Sequence, residues 1–190
     1  MGRNKIYEEV AGEVIINRVI ARLALINSEI MVVTASGQEL PAFAPYLKIN
    51  RVLDIYPGKG SLGGVYTGVA LSTSFHSLVV ACDMPFLNSA LLRYIISLSE
   101  NYDVVVPRVA GKLEPLHAVY SRNCLAPMER LLKRDELRIA EFFNTVKVRY
   151  VEDSEIDAID SQHLSFFNIN SEEDLIRANE LTAEIALDAS

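Results

Sequence analysis

The sequence predicts an α/β fold in which a mostly parallel β-sheet carries helices on both faces. Short apolar runs that suit buried strands alternate with segments whose apolar residues recur at helical spacing, which is typical of βαβ units. The chain has 190 residues, half of them hydrophobic, which is enough for one sizeable core. It contains no internal repeat and no linker, so we expect a single domain over residues 1–190.

The first half of the chain alternates helix and strand signals. Because helical segments separate the expected strands, those strands should run mostly parallel. Asn88, or the residue before it, is the expected N-cap of the third helix. The predicted helices span residues 13–27, 62–71 and 87–99. The predicted strands span residues 29–35, 48–56, 77–82 and 103–107.

The second half of the chain is less regular. Residues 112–122 are predicted to form an antiparallel strand, and residues 146–151 a further strand. Ser171 is the expected cap of a closing helix, with Asp174 where a capping box has Glu or Gln. The predicted helices of this half span residues 124–134, 138–145 and 171–187.

Composition and charge exclude several classes of protein. No apolar run approaches the ~20 residues of a membrane span, and the amino terminus lacks the apolar core of a secretory signal. We therefore expect a cytoplasmic protein without membrane attachment. The net charge is −7 and the basic residues are scattered, which argues against nucleic acid as a partner. Cys82 and Cys124 are not spaced as a metal pair and are expected to be small core residues.

Asp83 directly follows an apolar run, in the stretch SLVVACDMPFL. A carboxylate is costly to bury without partners, so this one either is solvated, caps the following turn, or binds a ligand. In open parallel sheets, ligands bind beyond the carboxyl ends of the strands. Asp83 is therefore a candidate site residue, and so is the glycine-rich turn over residues 56–64, which follows the preceding strand.

The glycine-rich turn, YPGKGSLGG, has two interpretations besides tight packing. Gly58, Gly60 and Gly63 stand in G-x-G-x-x-G register between a strand and a helix, as in the dinucleotide-binding fingerprint of an NAD-dependent oxidoreductase. Against that alternative, Asp54 lies inside the preceding strand, and Asp83 leads into a proline turn. The turn is not a P-loop, because no Ser or Thr follows its lysine. Binding of a different nucleotide is the second interpretation.

Five segments, in order along nearly the whole chain, resemble the molybdenum cofactor guanylyltransferases, the MobA-type branch of a wider nucleotidyltransferase family. They are MGRNK, GSLGG, CDMP, PLHAVY and NINSEEDL, which begin at residues 1, 60, 82, 115 and 168. The resemblance implies a three-layer, Rossmann-like nucleotidyltransferase fold. It also implies an enzyme that transfers GMP from GTP to the phosphate of molybdopterin, with release of pyrophosphate and with Mg²⁺ as cofactor.

The resemblance also implies roles for particular residues. Asp83 and Lys5 would be catalytic: Asp83 would hold Mg²⁺, which favours carboxylate oxygen, phosphates and water, and Lys5 would neutralise triphosphate oxygens. Asn168 and Asn170 would bind the acceptor. Residues 1–100 would form the nucleotide-binding half and residues 101–190 the acceptor-binding half. The residues expected at the nucleotide are Gly2, Lys5, Asp54, Gly60, Leu62, Gly63, Gly64 and Asp83.

The expected partners are GTP and molybdopterin, with proteins of molybdenum cofactor synthesis and apo-molybdoenzymes as further ones. Two related functions stay open: a molybdenum cofactor cytidylyltransferase, and a catalytically impaired relative that binds nucleotide or cofactor. Simpler roles also stay open for single residues. Asn168 and Asn170 could cap the last helix, Lys5 could be a surface lysine, and His117 suits packing better than catalysis because its neighbours are apolar.

The chain departs from the family pattern at its start. In the family, the segment L-A-G-G-x-S-x-R precedes the Met that corresponds to Met1, so we expect the sheet to lack its usual first strand. Such a sheet would expose apolar surface and unpaired backbone groups. We also expect the cellular protein to begin further upstream. A smaller departure is Ser61, where the family turn has Pro.

Overall fold

The computed structural model describes residues 7–26 and 29–188. Gly2 and Lys5, both expected at the nucleotide, lie outside these residues. The strands are β1 Glu9–Val10, β2 Glu13–Val14, β3 Ile30–Thr34, β4 Ile49–Leu53, β5 His76–Val80, β6 Val104–Val109, β7 Lys112–Leu113, β8 His117–Ser121 and β9 Val148–Glu152. The helices are α1 Ile15–Ala24, α2 Gly60–Leu71, α3 Ser89–Ser97, α4 Leu125–Arg134, α5 Asp153–Asp157 and α6 Glu172–Asp188.

The larger sheet is mixed and lies between two layers of helices. Its strand order is β5-β8-β6-β7, with β9 on the other edge of β6. Strand β8 runs antiparallel to β5 and β6, as the sequence predicted, whereas β9 is parallel to β6. Side chains alternate between the two faces of this sheet. Val104 and Val106 pack with α2 and α4, while Val105 packs with α3 and α5. The three-layer α/β fold is confirmed.

The smaller sheet is the parallel pair β3–β4. Strands β3 and β5 do not pair with each other, yet the same two helices cover both of them. On one face, α1 packs Ile20 near Val32 and Val19 near Val80. On the other face, α2 contacts both β3 and β5. No described strand occupies the space between β3 and β5, as we expect for a sheet that lacks an interior strand.

A short hairpin, β1–β2, precedes α1 where the sequence predicted only the start of a helix. Its turn residues Ala11 and Gly12 both have positive φ, which allows the chain to reverse within two residues. Val10, fully buried, packs against Ile169 and Ala178. The hairpin therefore ties the start of the described chain to α6, a contact that local sequence signals cannot reveal.

Most predicted elements are confirmed within a few residues. Residues 138–145 were predicted to be helical, and the segment Ile139–Thr145 is a 3-10 helix that buries the rings of Phe142 and Phe143. Cys82 was expected in the core but is exposed, because β5 ends at Val80 and the chain turns there. The prediction for Cys124 is confirmed, since its side chain is fully buried.

Two helix caps also match the sequence. The side chain of Asn88 accepts hydrogen bonds from the backbone N–H groups of Ala90 and Leu91, which caps α3. At α6, the Ser171 hydroxyl accepts from the N–H of Asp174, and the Asp174 carboxylate accepts from the N–H of Ser171. Asp174 thus takes the place that Glu or Gln has in a capping box. No described helix is long and apolar enough to span a membrane.

Candidate active site

The carboxyl end of β5 brings two distant segments of the chain together at Asp83. The N–H of Ala81 still donates to the carbonyl of Leu116, at 2.9 Å, and the chain then turns away from β8. The carbonyl of Asp83, a partly buried residue, accepts a hydrogen bond from the N–H of Ile169 at 3.0 Å. Met84 and Pro85, which follow, are buried and hold this turn against the core. The CDMP and NINSEEDL segments therefore meet here.

Asn168 and Asn170 flank Ile169, whose backbone N–H donates to the carbonyl of Asp83. Ile169 is buried among Val10, Ala178 and their apolar neighbours. The Asn168 side chain is partly exposed and donates to the carbonyl of Phe166 at 3.1 Å. Asn170 is exposed. The structure thus brings both asparagines to the backbone of Asp83.

The first turn of α6 is capped by side chains that follow Asn170 in the chain. The side chains that cap α6 belong to Ser171 and Asp174, whose reciprocal hydrogen bonds measure 3.1 and 2.8 Å. Asn170 contributes its backbone N–H, which donates to Asp174 at 2.9 Å.

Two glycines in the first turn of α2 are required by backbone geometry or by space. Gly60 has φ of +58°, a left-handed conformation that L side chains rarely adopt. At Gly63, a Cβ atom would lie 2.8 Å from the carbonyl oxygen of Tyr56 and 3.1 Å from the Asp54 carboxylate. Gly63 therefore permits the first turn of α2 to lie against the end of β4.

Gly64 differs from these glycines. A Cβ atom at Gly64 would meet nothing within 4 Å, so neither its conformation nor the described neighbours demand glycine. The space beside its backbone could admit a ligand. Leu62, by contrast, is fully buried in the core between α2 and the larger sheet. A nucleotide at this turn would therefore contact the backbone of Leu62 and not its side chain.

Asp54 anchors the same turn. Its Oδ1 atom accepts from the N–H of Tyr56 at 3.0 Å and from the hydroxyl of Thr67 at 2.8 Å. The Thr67 hydroxyl in turn accepts from the N–H of Ile55 at 2.9 Å. Thr67 is fully buried on α2, so this network joins the end of β4 to that helix. Asp54 has a structural role here, whatever else it binds.

Asp54 and Asp83 follow the strands β4 and β5, which helix α2 connects. Such a connection typically joins parallel strands, so we expect the carboxyl ends of β4 and β5 to lie at the same edge of the molecule. The space between β3 and β5 separates the two positions. The structure therefore assembles Asp83 with Asn168 and Asn170, and Asp54 with the glycine turn, as two groups.

His117 lies beneath this edge. Its side chain is fully buried, and neither ring nitrogen has a hydrogen-bond partner among the described residues. Burial lowers the pKa of His117 to about 4, although the charge of Asp160 acts in the opposite direction. The ring packs against Phe166, with 4.8 Å between the ring centroids. His117 therefore supports the segment that leads to Asn168 and does not face solvent.

Glu114 is a residue at this edge that the sequence reasoning missed. It is partly buried, and desolvation raises the pKa of its carboxyl group, while the charge of Lys112 lowers it. It lies one residue before the PLHAVY segment. A carboxylate directly before a proline, in the loop that leads into a buried strand, is the signal that could have identified it.

The described residues contain no group of three or more His, Cys, Asp or Glu side chains that could by themselves hold a metal ion. Mg²⁺ does not require such a group, because it is commonly bound by one or two carboxylates together with phosphate oxygens and water. Asp83, partly buried at a strand end, fits that role.

The fold and this edge define an α/β protein with a candidate nucleotide site at its strand ends. The family model of the MobA-like NTP transferase domain matches residues 1–148. The chain therefore belongs to the MobA-like NTP transferase family, a family of nucleotidyltransferase enzymes.

Particular relatives agree with that assignment. The chain is 35% identical to the probable molybdenum cofactor guanylyltransferase of Pelotomaculum thermopropionicum, over 94% of this chain and 85% of that protein. It is 33% identical to the molybdenum cofactor guanylyltransferase of Desulfosudis oleivorans, over 93% of this chain and 86% of the relative. The crystal structure of molybdopterin-guanine dinucleotide biosynthesis protein A from Archaeoglobus fulgidus superposes with a TM-score of 0.79 and 24% identity. That superposition covers 96% of this chain and 92% of the other, and supports the fold.

Proposed function

We propose that this protein is a cytoplasmic guanylyltransferase that transfers GMP from GTP to the phosphate of molybdopterin and releases pyrophosphate. The observation that carries the proposal is the hydrogen bond between the Ile169 N–H and the Asp83 carbonyl. It joins a carboxylate at a strand end to a segment with two asparagines, and a glycine turn opens the helix that precedes that strand. The chain also belongs to a nucleotidyltransferase family.

The proposed reaction asks the protein for positioning and for charge neutralisation. An oxygen of the acceptor phosphate forms a bond to the α-phosphorus of GTP, while the bond from that phosphorus to pyrophosphate breaks. Both reactants are anions, so the site must hold them in line and offset their repulsion. Asp83 would hold Mg²⁺, which supplies charge neutralisation at the phosphates when bound.

The nucleotide would lie over the glycine turn and the start of α2. Backbone N–H groups at a helix N-terminus favour phosphate oxygens, and the glycines at positions 60, 63 and 64 keep side chains away from that backbone. Lys5 would neutralise the triphosphate from a part of the chain that lies outside the described residues, and Gly2 would approach the nucleotide there. Asp54 would lie near the guanine or ribose.

The acceptor would bind on the side of Asn168 and Asn170. Amide side chains both donate and accept hydrogen bonds, as the polar edge of a pterin requires. Under this assignment, residues 1–100 bind the nucleotide and residues 101–190 bind the acceptor. Proteins of molybdenum cofactor synthesis and apo-molybdoenzymes would supply the acceptor and receive the product.

The test is release of pyrophosphate in the presence of molybdopterin and Mg²⁺, measured with GTP and with CTP. We expect release with GTP. Asp83→Asn should reduce the rate at least about a hundredfold, because a neutral amide holds the cation poorly. Glu136→Gln is the matched control, since Glu136 is an exposed glutamate after α4. Release with CTP alone, or release that Asp83→Asn leaves unchanged, would contradict the proposal.

A further inference from the structure

Glu114 is held in place by its backbone at the same end of the sheet as Asp83. Its N–H donates to the carbonyl of Pro107 on β6, and its carbonyl accepts from the N–H of His117 on β8, both at 3.0 Å. Val80 pairs with His117 in the β5–β8 ladder. Asp83 follows Val80 by three residues and Glu114 precedes His117 by three, so both leave the ladder at the same end. The position of Glu114 is therefore fixed by two strands.

The carboxylate of Glu114 has no partner among the described residues. No described side chain donates a hydrogen bond to it or forms an ion pair with it, although the residue is partly buried. Lys112, two residues earlier, acts on it only through its charge. A carboxylate that has lost part of its hydration and gained no donor is an energetic cost to the fold. Such a group at the edge of a site is typical of ligand recognition.

The chemistry of a suitable ligand follows from this geometry. A carboxylate accepts two parallel N–H bonds, one at each oxygen. The 2-amino-4-oxopyrimidine edge presents two such donors, a ring N–H and the adjacent amino group. Guanine and pterin both carry this edge. We propose that Glu114 recognises the 2-amino-4-oxopyrimidine edge of a ligand bound at the carboxyl end of β5. The proposal rests on the proposed function for the identity of its ligands.

This assignment explains the state of Glu114 better than a structural role does. A structural carboxylate is expected to accept bonds from its surroundings, as Asp54 does from Tyr56 and Thr67. Glu114 contributes only its backbone to the loop, so the side chain is available for binding. Two ligand N–H donors would stabilise the ionised form that burial disfavours.

The test measures preference for the 2-amino group in two ligand pairs by binding. Calorimetry compares GTP with ITP, which lacks the 2-amino group, and fluorescence titration compares 6-hydroxymethylpterin with 6-hydroxymethyllumazine, in which oxygen replaces that group. The wild-type protein should prefer the amino compound of at least one pair by about tenfold, the worth of one hydrogen bond to a charged group. Glu114→Gln should remove that preference, since an amide presents only one acceptor oxygen.

Control variants make each outcome decisive. Glu136→Gln changes an exposed glutamate in the same way and should keep the preference. Glu114→Asp keeps the carboxylate and should retain part of the preference. An unchanged unfolding midpoint is the check on folding.

Loss of the GTP preference assigns Glu114 to the nucleotide, and loss of the pterin preference assigns it to the acceptor. Preferences that Glu114→Gln leaves unchanged, or a change in Mg²⁺ dependence alone, would overturn the proposal. If the protein still turns over GTP in that case, the proposed function stands without a role for Glu114.

Discussion

The centre of the larger sheet and the strands β3 and β5, which border the space without a described strand, are built from similar apolar residues but differ in burial. Val104, Val105 and Val106 on β6 are fully buried, since strands flank β6 on both edges and helices cover both faces. Val32 and Val33 on β3 and the whole of β5 are only partly buried, although helices cover both strands. The difference shows that pairing along both edges, and not hydrophobicity alone, determines how fully a strand is buried.

The largest expected difference between the two regions is in the free energy of unfolding after truncation of a phenylalanine. Phe142→Ala should cost about 3–5 kcal/mol, because the ring is almost fully buried against Tyr120 and Phe143. Phe43→Ala should cost less than half of that, because Phe43 is partly buried and packs beside the β3–β4 pair. Denaturant unfolding of both variants measures the two costs. Equal costs would remove the contrast between the regions.

A second expected difference concerns pH. The pKa of His117 is lowered to about 4 by burial, below its ordinary 6.5. Between pH 4 and pH 6.5, the unfolded chain therefore binds a proton at this residue that the folded chain does not bind. The free energy of unfolding should fall by roughly 3 kcal/mol as pH drops from 6.5 to 4, and should not change through this group above 6.5.

The check is the pH dependence of unfolding in His117→Phe, which cannot titrate and keeps an aromatic ring beside Phe166. In this variant, the fall in the free energy of unfolding between pH 6.5 and pH 4 should be smaller by the contribution of His117. His76→Phe is the control, since His76 at the start of β5 is only partly buried. An unchanged slope in His117→Phe would show that the interior around β8 is wetter than its burial indicates.

Helix α2 bridges the two regions, and two of its glycines should respond in opposite ways. Gly63→Ala should destabilise the fold by about 1–3 kcal/mol, because the new Cβ would meet the carbonyl of Tyr56. In Gly64→Ala the new Cβ atom meets no other atom within 4 Å, so this substitution should stabilise the helix by up to about 1 kcal/mol. If the nucleotide lies at this turn, Gly64→Ala should nevertheless weaken GTP binding. Thermal unfolding and GTP titration of both variants test this pair.

The smallest expected effect is in amide hydrogen exchange along β5. The bond from the Ala81 N–H to Leu116 sets the alternation of the ladder, so the N–H groups of Ser77 and Val79 point to β8. Those of Leu78 and Val80 point toward the space beside β3. We expect Leu78 and Val80 to exchange about tenfold faster. Equal protection of the two sets would mean that another segment pairs with this edge.

Local signals in the sequence predicted much of the fold. Asn88 and Ser171 cap their helices through residues two or three positions away, so these signals act within one turn. The glycine turn was predicted from its own residues for the same reason. The helix over residues 138–145 was predicted as well, and only its 3-10 geometry at Ile139–Thr145, where Phe142 and Phe143 pack together, was not.

The site could be predicted only in part. Asp83, Asn168 and Asn170 were singled out from separate motifs, and the sequence did not show that the Asp83 carbonyl and the Ile169 N–H bond to each other. Glu114 was missed because its only local signal, a carboxylate directly before a proline, is weak by itself. Its lack of a partner is visible only once β6 and β8 fix its loop.

The sequence by itself determined the α/β class, the order of the elements and the resemblance to one nucleotidyltransferase family, because these depend on periodicity and short motifs. Only the tertiary structure decided which strands are fully buried, and that the Asp83 and Ile169 segments meet. It also decided that His117 is buried with no hydrogen-bond partner in the part of the chain that the structure describes. Those outcomes depend on contacts between residues far apart in the chain. Such contacts form only when the layers pack together, so no local window of sequence contains them.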